Sequence, residues 1–300
     1  TIIGGLAGDA LTDADFNVVV GKSALSTDTL GSKSVAIGTY ALLTQNFTTA
    51  TDSFNTAVGH AAGTAVTTGQ FNTLIGGLAG DALTNADLNV AVGQNALTVD
   101  TLGSKSTAIG AAALNVQNFT TATDSHNTAV GYSAGSSVTT GTENTLIGSE
   151  SGDALTTGEK NTYVGYAAGT TDDVGSRNVG IGRAALGALN YATATSGNNT
   201  AVGYDVGFTL SVGIDNCLFG SNAGYALTDA DDNVVVGRSA LATDTKGSRS
   251  TAIGNLALQN QNFTTATNTY NTAVGYNAGN DVTTGTHNTL VGGLAGDAIT

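Results

Sequence analysis

The chain lacks several residue types that globular domains use routinely. Its 300 residues include no Pro, no Met, no Trp and a single Cys. Because Pro has no N–H to donate, its absence fits a chain in which nearly every backbone amide joins a ladder. A single Cys excludes an internal disulfide, and no apolar run reaches the about 18 residues that a membrane span needs.

Charge is also scarce and mostly of one sign. Only 11% of the residues are charged, against about 25% in a typical domain. The 9 Lys and Arg are outnumbered by 23 Asp and Glu, which gives a net charge of −14. Nucleic acids and anionic membranes bind positive surfaces, so we expect neither as a partner and no direct membrane insertion.

The chain is built instead on a repeat. Close variants of the sequence NTAVG recur in steps of 17, 17, 21 and 17 residues, and this schedule repeats as a superrepeat of 72 residues. A period this short predicts that each repeat is one coil of a stack, completed by its neighbours. The Thr128 column is the motif position occupied by Thr1, Val18, Val35, Thr56, Thr73, Val90, Thr107, Thr128, Thr145, Thr162, Val179, Thr200, Cys217, Val234, Thr251, Thr272 and Thr289.

The period predicts an all-β fold, a parallel β-solenoid of about 17 coils. At about 4.8 Å per coil, such a solenoid would be about 80 Å long. We interpret residues 1–300 as a single continuous repeat domain and as a segment of a longer chain.

Alternation within the motif predicts a short strand with two faces. The residue two places after the Thr128 column is always apolar, so we expect this Val130 column to form the core and the motif Thr to point inward with it. The Val130 column contains Ile3, Val20, Ile37, Val58, Ile75, Val92, Ile109, Val130, Ile147, Val164, Ile181, Val202, Phe219, Val236, Ile253, Val274 and Val291. On this interpretation Cys217, in the Thr128 column, is a small buried hydrophobe.

The residue between these two columns points to the opposite face. This Ala129 column contains Ile2, Val19, Ala36, Ala57, Leu74, Ala91, Ala108, Ala129, Leu146, Tyr163, Gly180, Ala201, Leu218, Val235, Ala252, Ala273 and Leu290. Since it carries no charge, we expect something outside the coil to cover it. A continuous apolar stripe favours side-by-side association of identical chains, with a contact that includes the Ala129 column.

The rest of each coil is predicted from the same alignment. The invariant Gly after the Val130 column indicates a bend or a close backbone approach. Small residues such as Ala134 suggest a second short strand, and Val66, Leu83 and Val138 suggest a third core position. Asn precedes the motif in 13 of 16 coils. It is either a hydrogen-bonded ladder or only a favourable turn residue.

Three motifs resemble a known family. SVAIG at 34–38, STAIG at 106–110 and NTAVG at 127–131 are similar to the head repeats of trimeric autotransporter adhesins, the YadA-like heads. The resemblance implies a left-handed parallel β-roll of three identical chains on the outer surface of Gram-negative bacteria, where such heads attach to host or matrix surfaces. This chain has longer coils and shows no neck, stalk or anchor. Similar repeats also occur in phage tail fibres.

The 21-residue coil inserts a short loop once in each superrepeat. Each loop carries one aromatic residue, and we single these out as candidate surface contacts: Phe47, Phe119, Tyr191 and Phe263. The alternative, which we favour, is that each ring folds back onto its own coil or a neighbouring chain. Asn46, Asn118 and Asn262 also begin NFT sequences, the acceptor pattern for glycosylation.

No other pattern predicts chemistry. Asp9, Asp81, Asp153 and Asp297 share one repeat position and could bind a hard cation, but a solvated acidic edge explains them better. His60, His126 and His287 fit variable turns. We expect no metal, no cofactor and no enzymatic activity, and we disfavour an ice-binding array because the motif Thr should point inward.

The predicted function is therefore a structural and adhesive shaft of an extracellular trimeric fibre that mediates attachment to a surface. Its partners would be two further copies of the chain and a receptor, matrix protein or glycan. The alternative is the shaft of a phage tail fibre or a related host-recognition protein, which would place the chain on a virion.

Overall fold

The computed structural model describes residues 1–299 and contains strands and turns but no helix in that range, and hence no helix that could cross a membrane. The chain divides into two compact units, Thr1–Ser149 and Glu150–Thr300. Each unit is a stack of parallel coils with one motif strand per coil. The prediction of a parallel β-solenoid with about 17 coils is confirmed.

The first unit contains nine of the 17 motif strands and the second contains eight. Those of the first unit are β1 (Ile2–Ile3), β2 (Val18–Val20), β4 (Val35–Ile37), β6 (Thr56–Val58), β7 (Thr73–Ile75), β8 (Val90–Val92), β10 (Thr107–Ile109), β12 (Thr128–Val130) and β13 (Thr145–Ile147). Those of the second are β14 (Thr162–Val164), β16 (Val179–Ile181), β18 (Thr200–Val202), β19 (Cys217–Phe219), β20 (Val234–Val236), β22 (Thr251–Ile253), β24 (Thr272–Val274) and β25 (Thr289–Val291).

Four further pairs of short strands accompany the inserted loops, where the end of each loop rejoins the preceding coil. They are β3 (Gly31–Ser32) with β5 (Thr51–Asp52), β9 (Gly103–Ser104) with β11 (Thr123–Asp124), β15 (Gly175–Ser176) with β17 (Thr195–Ser196), and β21 (Gly247–Ser248) with β23 (Thr267–Asn268). The second strand predicted after the motif is absent. The residues around Ala134 form turns instead.

Motif strands pair in parallel and in register. Thr128 lies opposite Thr145, and Ala129 lies opposite Leu146. The same positions pair between every two neighbouring strands within each unit, for example Ala252 with Ala273. Because the side-chain period of a strand is two, this register keeps each column on one face throughout a unit.

The assignment of the two faces was wrong. The Ala129 column points into the solenoid: Ala57, Ala129, Ala201 and Ala273 are all 0% exposed within a single chain. The Val130 column points outward, and nine of its side chains remain between 36% and 69% exposed, besides the terminal Ile3. The motif Thr also points outward, and Cys217 is half-buried on that face rather than enclosed.

Side-chain volume explains which face is inside. Both columns are apolar, so hydrophobicity does not distinguish them. The interior of a coil is narrow and already holds buried Leu and Val side chains from the turns, including Leu42, Leu83 and Val138. Small residues fit opposite these side chains at native packing density, whereas a Val or Ile on every coil belongs on the open side. The predicted oligomer contact through the Ala129 column is therefore excluded.

Two other predictions about the coil are confirmed. The Gly that follows the Val130 column has a φ between 124° and 145°, a region nearly exclusive to Gly. The Asn before the motif forms a ladder: the backbone N–H of Asn72 donates to Oδ1 of Asn55 (2.9 Å), and that of Asn89 donates to Oδ1 of Asn72 (3.0 Å). Each buried amide is thus satisfied along the stack.

Candidate functional site

The outward face of the motif strands is the largest uncharged surface of each unit. It consists of the Thr128 and Val130 columns, which contain only Thr, Val, Ile, Cys and Phe. Ile37, Ile75 and Ile109 are 36 to 38% exposed although the strands on both sides are in place. Monomeric proteins rarely expose contiguous apolar patches larger than a few hundred Å², and larger ones mark interaction sites.

The aromatic residues of the inserted loops lie inside rather than on the surface. Phe47, Phe119, Tyr191 and Phe263 are 3 to 7% exposed. This burial agrees with the packing alternative favoured above. Contacts by these loops would have to come from their exposed residues, which in the first loop are Asn46, Thr48, Thr49 and Ala50.

The acidic turns contain no metal site among residues 1–299, where no group of three or more His, Cys, Asp or Glu side chains could hold an ion. Thr170 Oγ1 donates to Oδ1 of Asp153 (2.6 Å), so this carboxylate bonds to the next coil. His60, His126 and His287 are exposed, as expected of variable turns. The described residues enclose no pocket.

A buried carboxylate lies beneath the inserted loop of each superrepeat, a feature that sequence reasoning missed. In the first superrepeat, Oδ2 of Asp28 accepts a hydrogen bond from Gln45 Nε2 (2.6 Å), and Oδ1 accepts from the backbone N–H groups of Gly31 (3.0 Å) and Phe47 (3.2 Å). Asp100 and Asp244 have the same set of donors. Three donors satisfy each charged group.

The third superrepeat builds this cluster from different residues. Leu189 stands where the others have Gln, and the phenol of Tyr163 donates to Oδ2 of Asp172 instead (2.6 Å). Two Gly residues make the room: a Cβ at Gly180 would lie 3.0 Å from the Tyr163 ring, and a Cβ at Gly197 would lie 2.3 Å from the Tyr191 hydroxyl. These differences form one compensated set.

This exchange changes the titration of the carboxyl group. Burial raises the pKa of Asp172 from its usual 3.8 to about 6, and the hydrogen bond from Tyr163 offsets only part of that effect. The neighbouring Asp173 raises this pKa further. Burial also raises the pKa of Tyr163 well above its usual value, so the phenol remains a donor at neutral pH.

The raised pKa predicts a pH-dependent stability. A carboxyl group whose pKa is higher in the folded than in the unfolded chain stabilises the fold when protonated, and this contribution is lost as the pH rises through the folded value. We expect the wild-type free energy of unfolding, relative to that of Asp172→Asn, to fall by roughly 3 kcal/mol between about pH 4 and pH 7. Denaturant titrations of both proteins at several pH values measure it. Parallel pH profiles would contradict it.

A row of exposed side chains borders the outward face. We call it the rim column and define it as the residue immediately before the buried Asn or Ser of each coil. It contains Phe16, Lys33, Phe54, Phe71, Leu88, Lys105, His126 and Glu143 in the first unit, and Lys160, Arg177, Asn198, Asp215, Asp232, Arg249, Tyr270 and His287 in the second. Each residue has a φ between 49° and 63°. The sequence signal was available: the column holds five of the nine basic residues.

No family model, curated protein or solved structure matches the chain. The function therefore has to be argued from these surfaces.

Proposed function

We propose that the chain is a non-enzymatic structural and adhesive shaft of an extracellular trimeric fibre, a left-handed β-roll of three identical chains that mediates attachment to a surface. The outward face of the motif strands carries this proposal. In it, the Val130 columns of three copies pack around a common axis, so that the face that each chain leaves open is closed by the other two.

The composition of the face supports this arrangement. Neither outward column contains a charged residue in any coil, although 32 charged residues lie elsewhere in the chain. Apolar burial contributes about 25 cal/mol per Å², so a stripe of Val and Ile repeated on every coil gives a favourable term that grows with length. Cyclic symmetry uses the same face of every copy and leaves none of it exposed.

The face fits association better than ice binding. The earlier argument against an ice-binding array required the motif Thr to point inward, and it points outward. The second outward column, however, contains Val, Ile and Phe and no Thr, and the Thr128 column itself includes Val and Cys. Each coil therefore lacks the paired Thr that such an array would present.

Cys217 provides a direct probe of the proposal because it lies on the outward face and is the only Cys. We expect native Cys217 to react slowly with a maleimide reagent, since two other copies cover it, and to react rapidly in denaturant. Val236→Asp places a charge in the adjacent coil and should separate the copies and restore rapid labelling.

The control for this experiment is a thiol outside the face. Thr49→Cys in a Cys217→Ser background lies on an exposed loop and should react rapidly in the native protein. Native Cys217 labelling as fast as that of this control, in wild type and in Val236→Asp alike, would contradict the covered face.

A further inference from the structure

The rim column of the first unit presents an ordered aromatic surface. The rings of Phe54 and Phe71, on successive coils, stack with centroids 5.5 Å apart and planes 13° from parallel. The Lys33 ammonium lies 4.9 Å from the Phe54 centroid, and Leu88 follows on the next coil. Phe54, Phe71 and Leu88 are 47 to 50% exposed. Held by their neighbours, these side chains lose little further conformational entropy on binding a partner.

A second instance occurs in the second unit. The Arg249 guanidinium lies 5.8 Å from the Tyr270 ring and donates to its hydroxyl (3.0 Å), and the Tyr270 ring lies 5.2 Å from that of His287. The chain therefore places a basic residue directly before an aromatic one in the rim column of both units.

The backbone indicates that these side chains are kept for a reason other than folding. Residues with a φ near 60° are most stable as Gly, Asn or Asp, and other residues cost about 1 kcal/mol or more. The rim column contains three Asn or Asp residues and no Gly, although the chain has 42 Gly. Since the rings are exposed, burial does not repay this cost. Strain of this kind is commonly stored at functional positions.

The charges of the rim column are already paired. Lys33 bonds to Asp52 (2.6 Å), and Arg249 bonds to Asp232 (3.3 Å). With a net charge of −14 on the whole chain, the column offers no positive field for a polyanion. It offers rings beside paired donors and acceptors, which suits an uncharged partner rich in hydroxyl groups.

We propose that the rim column binds a neutral polysaccharide. Rings contact the apolar C–H faces of sugars, and the adjacent Lys, Arg and Asp side chains bond to their hydroxyls. An open surface without a pocket fits an extended polymer rather than a small ligand. The coil repeat of about 4.8 Å presents a similar set of groups at each step along that polymer. This inference rests on the attachment role proposed above and names its ligand class.

The test replaces the two stacked rings without disturbing the backbone. Phe54→Asn and Phe71→Asn introduce a residue that favours the left-handed conformation, so the double variant should fold with an unchanged or higher Tm. Binding is measured by affinity electrophoresis in gels containing dextran, glucomannan, galactomannan or laminarin, with heparin as the polyanion. The control is Tyr132→Ser, which removes an exposed ring on the other edge of the motif strand.

We expect at least one neutral polysaccharide to retard the wild type and Tyr132→Ser, and the double variant to lose about tenfold in affinity. Retardation by none of the four, retardation by heparin alone, or equal retardation of the double variant would overturn the proposal. A double variant with an altered oligomeric mass would overturn it too, because the rings would then be contacts between copies. The mass of the wild type tests the trimeric fibre separately, so the two proposals can fail independently.

Discussion

Replacing Ala129 by Asp is expected to unfold the coils around it, whereas replacing the next residue, Val130, by Asp should leave the fold intact. Ala129 is 0% exposed and packs in the interior of the solenoid, while Val130 lies on the outward face. A carboxylate at position 129 would be buried without a partner and should cost at least about 4 kcal/mol. At position 130 the carboxylate would reach water in a single chain.

Circular dichroism and molar mass together separate the two outcomes. Ala129→Asp should lose thermal stability in proportion to the cost of the buried charge. Val130→Asp should retain the β spectrum of the wild type but lose association, because the charge would face the axis between copies. A stable, folded Ala129→Asp beside an unfolded Val130→Asp would reverse the assignment of the two faces.

The second large effect is expected at neighbouring glycines. Gly76 has a φ of 136°, and a Cβ there would lie 2.5 Å from the carbonyl oxygen of Gly93 on the next coil. Gly77 has open space around its Cα, with nothing within 4 Å of a built Cβ. Gly76→Ala should therefore destabilise the chain by about 3 to 5 kcal/mol, through backbone strain and overpacking combined. Gly77→Ala should change stability by less than about 1 kcal/mol.

Denaturant midpoints of the two Ala variants, measured beside the wild type, make this comparison within one turn. A Gly76→Ala protein as stable as Gly77→Ala would mean that the coils can move apart to accept a methyl group. That result would contradict the close stacking that the Gly after the Val130 column is inferred to permit.

The sequence predicted the features that depend on period and register. A fixed step of 17 or 21 residues places every motif in the same coil position, so parallel pairing of Thr128 with Thr145 follows directly. The Asn ladder and the Gly bend were predicted for the same reason, since a residue that recurs in every coil must stack on its own copies.

The sequence did not predict which face was inside. Alternation assigns Ala129 and Val130 to opposite faces, but both are apolar, and hydrophobicity then carries no sign. The informative property was volume, because a narrow coil leaves room for Ala opposite the Leu and Val side chains of its turns. The predicted strand near Ala134 failed for a related reason: small residues fit a tight turn as well as a strand.

The candidate site was also only partly predictable. An aromatic residue in an inserted loop does not reveal whether it points out, and Phe47 and its equivalents point in. The rim column was visible as a concentration of basic and aromatic residues before the motif Asn. Its left-handed backbone was not visible, because its bulky side chains are the ones that usually avoid that conformation.

The molar mass of the chain in solution, measured by light scattering across a range of concentrations, tests the central claim most directly. The account holds that the outward face of the motif strands is closed by two further copies, so the wild type should have three times the mass of a single chain and Val130→Asp the mass of one. A wild type that is monomeric at every concentration, with native Cys217 open to labelling, would contradict it.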